Sequence, residues 1–250
     1  MDLVALLDTT TGTITAMVTH MIRDTITPTT IATAIPTPMT DAGLLTLTHW
    51  LSPVFPVGGY AYSQGLEAAI EAQDVRDGAS LTDWLATVLR DGSGQADAIF
   101  LSCAMAQNAD YANLNAWASA IAPAAERWQE TAEQGAAFTR AVNDLKDETE
   151  AAVALPIAVG RAAKSLGLAT ECVVALYLQA MISTLVTGAV RHIPLGQAQG
   201  QKVIAALMPT VLFVAAAAKG KTPADIRSAA FGADRAATTH ETQEIRIFRT

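Results

Sequence analysis

The sequence predicts an all-α fold: a single helical domain of about eight to ten helices behind a flexible, Thr/Pro-rich N-terminal extension. Three observations carry this prediction. No region shows the alternation of apolar and polar residues over several short runs that a sheet would need. Two long uncharged runs, residues 173–190 and 203–218, read as buried core helices. Helix-type punctuation by Ser, Asp, Pro and Gly recurs from Thr40-Asp41 onward. With 51% hydrophobic and 16% charged residues among 250, there is material for one substantial core.

Taken in order, residues 1–40 are threonine-dense, with Pro28, Pro36 and Pro38 and little periodicity, and are expected to be a mobile extension before a helical domain over 41–250. The stretch LSPVFPVGGYAYSQGLE follows at 51–67. Pro53 and Pro56 fix φ and exclude helix, and Gly58-Gly59 permits a tight turn that a side chain would block. Tyr60, Tyr62 and Ser63 are expected to begin a helix running through Leu66 and Ala69, with Glu67 on its polar side. Both tyrosines read equally well as core aromatics or as contacts with a partner. Ser80 with Asp83 resembles a capping box, Pro123 can open a helix and Gly167 can close one. Residues 173–190 and 203–218 are shorter than the roughly 20 apolar residues of a membrane span and are interrupted by Gln179, Ser183 and Pro209, so they read as buried core helices. Between them Pro194 and Gly196 end one helix and start the next, with Gln197, Gly200 and Gln201 at helical spacing. Thr222-Pro223-Ala224-Asp225 starts another.

The chemistry is mostly exclusion. A net charge of −8 argues against nucleic acid, which needs a basic stripe. Cys103 and Cys172 stand alone, suggesting neither a disulfide framework nor a thiolate metal site and fitting a reducing cytoplasm. The opening MDLVALLDTTTG is broken by Asp2, Asp8 and threonines and does not read as a signal peptide. Ala61-Tyr62-Ser63-Gln64-Gly65 is a variant nucleophile elbow, but that motif works on a strand-to-helix turn and prolines precede it here. Residues 215–222, AAAAKGKT, satisfy a loose Walker A pattern in which Ala stands for the first Gly; Ala215–Ala218 prefer to continue a helix and Gly220 to cap it. The histidines at 20, 49, 192 and 240 have no metal-binding spacing, although a weak site using His240 and Glu241 stays open. No cofactor is expected.

Three non-periodic motifs remain: LSPVFPVGGYAYSQGLE, then IPLGQAQGQ at 193–201, then THETQEIRIFRT at 239–250. Together, in consistent order and spacing over 44–250, they resemble the urease accessory protein UreF family. Arg127, Glu130 and Gln134-Gly135 stand where that family has them, whereas alanines replace bulkier residues around Phe138 and Thr250 takes the place of a common serine. The resemblance implies a non-enzymatic, dimer-forming, cytoplasmic adaptor. Such an adaptor binds UreD (also called UreH) and recruits the GTPase UreG, for GTP-dependent nickel insertion into the urease apoprotein. Two other classes remain beside it: a nucleotide-binding protein using 215–222, and a helical enzyme acting on a small molecule.

Within the last motif, Arg246, Phe248 and Arg249 are residue types that carry binding energy at interfaces, and with Tyr60, Tyr62 and His240 they form the candidate partner-binding set. The segment has too few apolar positions to hold itself as an amphipathic helix. It is expected to be mobile when free and to order against UreD, with Phe248 as its apolar anchor; the alternative is a tail folded back onto its own helices.

Overall fold

Ten α-helices, three 3-10 turns and no strand occur among the described residues, which run from 41 to 250 in this computed structural model. The extension expected over 1–40 lies outside them. In chain order the helices are α1 (Asp41–Trp50), α2 (Leu66–Glu71), α3 (Gly78–Asp91), α4 (Ser93–Ala104), α5 (Tyr111–Ala120), α6 (Ala125–Lys146), α7 (Leu155–Ala163), α8 (Thr170–His192), α9 (Gln197–Ala217) and α10 (Phe231–His240). The 3-10 turns are Gly59–Ala61, Lys164–Leu166 and Pro223–Asp225.

The two long apolar runs become α8 and α9. Both are long and apolar enough to cross a membrane by length and composition alone, but 44% and 39% of their most apolar windows are buried against other helices. The short link Ile193–Gly196 folds α9 back along α8, as short connections between neighbouring helices do. Pro209 does not break α9. Its ring faces outward, so water can reach the carbonyl one turn back that loses its N–H partner.

Around this pair α3 packs on α9 and α4 on α7, and α6 runs beside α7. The backbones come very close where glycine allows it: a Cβ on Gly135 of α6 would overlap the Val153 carbonyl oxygen just before α7. Leu81, Leu85, Leu89, Ile99, Leu101, Ile157, Leu178, Ile182 and Leu207 are fully buried and form one continuous core. Burial of this kind is worth about 25 cal/mol per Å² of apolar surface and dominates the stability of the domain.

The capping signals shift by a few residues. The box on α3 pairs Asp77 with Ser80, not Ser80 with Asp83: Ser80 N–H donates to Asp77 Oδ1 at 2.8 Å and Asp77 N–H to Ser80 Oγ at 3.1 Å. Pro123 precedes α6 rather than opening it, since Ala124 is the N-cap. Gly167 takes a left-handed φ of 67° after Leu166, and Thr222 with Asp225 caps a 3-10 turn only.

Candidate partner-binding site

The prolines of 51–67 do exclude helix, but Phe55 fixes the loop. Its ring is buried 5.4 Å from Phe138, which stands edge-on to Trp50 at 6.0 Å. Gly58 supplies a φ of 72° and leads into the 3-10 turn at Gly59–Ala61. The helix expected to begin near Tyr60 starts only at Leu66, because Gln64 (φ 57°) and Gly65 (φ 79°) are both left-handed and turn the chain first. A Cβ on Gly65 would sit 2.7 Å from the Ala237 nitrogen, so this glycine lets α10 lie against α2.

That turn brings Ser63 and Glu67 beside the first half of α6, where Glu126, Glu130 and Glu133 recur at helical spacing on one face. Residues 241–250 lie between them. The segment expected to be mobile is docked. The apolar positions were few, as read, and apart from Phe248 they do not hold it: its main chain is held by hydrogen bonds to the Glu67 carboxylate, to Ser63 and to the Ala61 carbonyl. Glu67 accepts from the Ile247 and Phe248 N–H groups at 2.8 and 2.9 Å. Ser63 N–H donates to the Thr250 carbonyl at 2.7 Å, its hydroxyl donates to the same oxygen, and Arg249 N–H donates to the Ala61 carbonyl at 2.8 Å. Glu67 is buried rather than on a polar face. Burial pushes its carboxyl up, yet the two N–H donors and the His240 ring outweigh that and hold it below its ordinary value.

The predicted set divides in two. His240 is fully buried, with Nε2 3.2 Å from Glu67 and Nδ1 2.8 Å from Glu126, so it supports the segment from beneath. Tyr62 is also buried and donates its hydroxyl to Glu133 at 2.6 Å; burial first, then Glu133, pushes that phenol up to about 12. Arg249 stacks over the Tyr62 ring at 5.4 Å and pairs with Glu133 at 2.9 Å. Arg246 pairs with Glu126 at 2.6 Å, and Phe248 packs on His192 at 4.9 Å between ring centres. Phe248 is therefore an anchor, but one set into its own chain. Tyr60 alone of the set is wholly free of the cluster, at 76% exposed, and Ile245 and Ile247, on either side of Arg246, are exposed at 83% and 69%.

Reading the sequence left Glu67, Glu126, Glu130 and Glu133 out of the candidate binding set. The available signal was charge complementarity between an acidic stripe in α6 and a C-terminal segment with two arginines. Arg127 is a buried cation paired with Glu130, and Glu130 accepts from the Thr250 hydroxyl at 2.8 Å. Burial raises Asp97, which bonds Tyr177 at 2.7 Å, to about 6.

The remaining motifs take structural positions. Pro53, Pro56 and Pro194 are exposed, and Gly196, at φ −69°, is the N-cap of α9. Gln197 and Gln201 face solvent while Gly200 packs on Val186 and Val190. Ser63 is engaged with Thr250, and among the described residues no strand precedes it. In 215–222, Ala215–Ala217 finish α9, Lys219 pairs with Glu171 at 2.6 Å and Thr222 bonds Asp225 at 2.8 Å. Among the described residues no three His, Cys, Asp or Glu side chains gather as a metal site.

A family model for UreF matches residues 75–208. The chain is 49% identical over 208 residues to the urease accessory protein UreF of Jannaschia sp. (strain CCS1), covering 83% of this chain and 94% of that protein. It is 49% identical over 211 residues to the UreF protein of Cereibacter sphaeroides (strain ATCC 17023), covering 84% of this chain and all of that one. The Paracoccus denitrificans UreF protein is 46% identical over 210 residues, 84% and 97% of the two chains. The chain belongs to the UreF family of urease accessory proteins.

Proposed function

We propose that this chain is a non-catalytic adaptor in urease maturation, working in the cytoplasm as a homodimer. It binds UreD (UreH) through the docked C-terminal segment and recruits UreG, so that GTP hydrolysis by that partner drives nickel into the urease apoprotein. The observation that carries the reading is the docked segment. It is fixed at its backbone by Glu67 and Ser63, so that Ile245, Ile247 and the outer edges of Arg246 and Arg249 are presented to solvent. An apolar centre ringed by arginines, already ordered, suits a protein interface because little entropy is lost when a partner seats on it. Family membership supports the assignment to urease maturation.

The test is size-exclusion chromatography with light scattering of the full chain alone and with UreD. The expected result is a dimer that shifts to a larger complex, and a double variant Ile245→Asp/Ile247→Asp that stays a folded dimer but no longer shifts. Unchanged UreD binding by that variant overturns the assigned surface, and a chain that never binds UreD overturns the adaptor reading.

A further inference from the structure

We propose that a second cleft, at the opposite end of α6, binds a small organic anion: a carboxylate or phosphate head carrying a short apolar body. The cleft encloses about 230 Å³. Three cations converge on it: Lys146 from the last turn of α6, Arg161 from the last turn of α7, and Lys164 from the 3-10 turn that follows. In a chain of net charge −8 with 16 Lys and Arg in 250 residues, this is a local reversal of charge.

The cations are positioned and still have donors to offer. Arg161 lies 5.4 Å over the Tyr111 ring, donates to the Ala151 carbonyl at 2.8 Å and pairs with Glu150 at 3.2 Å. Lys164 bonds only neutral oxygens, the Gln107 carbonyl at 3.3 Å and the Tyr111 hydroxyl at 3.2 Å. Among the described residues no carboxylate lies within ion-pair range of it. Lys146 bonds the Ser165 hydroxyl at 3.2 Å and holds Glu148 loosely at 3.9 Å. An ammonium has three donors and a guanidinium five, so each group keeps capacity for an incoming anion. Glu148 and Glu150 also line the cleft, with side chains 47% and 51% exposed. Two carboxylates against three cations leave one positive charge, which selects an anion. Phe138, Val142, Ala158 and Ala162 supply the apolar wall for its body. Some 20 positions of α6 separate Lys146 from Glu126, about 30 Å at helical rise, so this site is independent of the C-terminal surface.

Titration calorimetry of the full chain with butyrate and with butyl phosphate, at constant ionic strength against chloride, tests the proposal. Saturable binding of either probe is expected, with the tighter one identifying the head group. Lys146→Gln and Lys164→Gln should each weaken it at least tenfold, while Lys219→Gln, whose ammonium pairs with Glu171 elsewhere, leaves it unchanged. Should a lysine variant fail to fold, Glu150→Gln keeps all three cations, removes a competing carboxylate and should tighten binding severalfold. Absence of saturable binding, equal affinity in Lys164→Gln, or no gain in Glu150→Gln overturns the site.

Discussion

The α8–α9 pair and the C-terminal segment are each well ordered, but by opposite means. α8 and α9 are held by methyl and methylene groups packed from many directions, so no single atom decides their place. The segment is held by a few directed hydrogen bonds from its main chain to Ser63 and Glu67, with Glu126 and Glu133 gripping its arginines. Apolar packing is non-directional and cooperative, and its loss is felt by the whole domain. A directed bond is local, and its loss opens only what it holds.

Four experiments break or sharpen that contrast. The largest effect is expected from Leu178→Ala, at a fully buried position of α8: a loss of about 2–5 kcal/mol in global stability, read as a lower denaturant midpoint with cooperative unfolding retained. If this variant loosened only the segment, the contrast would fail. Next, Glu67→Ala leaves the Ile247 and Phe248 N–H groups without their acceptor. It should cost the docking about 1–3 kcal/mol, seen as lost hydrogen-exchange protection at those two amides while the α8 amides stay protected.

Acidification should act on the same bonds with a smaller effect, since a protonated carboxyl keeps some acceptor capacity. The Glu67 carboxyl is held below its ordinary 4.5, so its contribution is fully present above that pH and is lost as pH falls through the lower folded value. Protease nicking within 241–250 should therefore rise below about pH 4.5, and Glu67→Gln should remove Glu67's share of that rise. The smallest effect concerns the loop. Gly58→Val places a β-branched residue at φ 72° and should cost about 1 kcal/mol or more, with no steric clash to add to it. Gly59 is not left-handed, so Gly59→Val should cost less; equal thermal shifts for the two would refute a backbone origin.

The apolar half of the molecule was the readable half. An uncharged run of helical length contains its own instruction, because burial depends on composition and period within the run. Gly167 and Gly220 were readable for the same reason, since left-handed closure is a local property. The site was legible only in Tyr62, His240, Phe248 and the two arginines. Glu67 could not be assigned from its surroundings, because its partners Ile247 and Phe248 lie 180 and 181 residues away. Counting apolar positions in 239–250 gave the wrong expectation for the free segment because main-chain N–H groups are present at every non-proline residue and leave no mark in composition. The late start of α2 was hidden similarly, since a left-handed Gln64 beside Gly65 reflects tertiary contact rather than propensity.

Glu67 grips amide hydrogens, which residues 247 and 248 would present whatever side chains they carried, proline excepted. The grip is thus indifferent to the letters written there. Ile245 and Ile247 point away from the body of the protein and have no task in keeping the segment seated. Mutation can therefore rewrite those two positions to follow a changing counterpart while the frame that displays them stays the same. One protein surface can drift with another in this way without passing through an unfolded or unmoored ancestor.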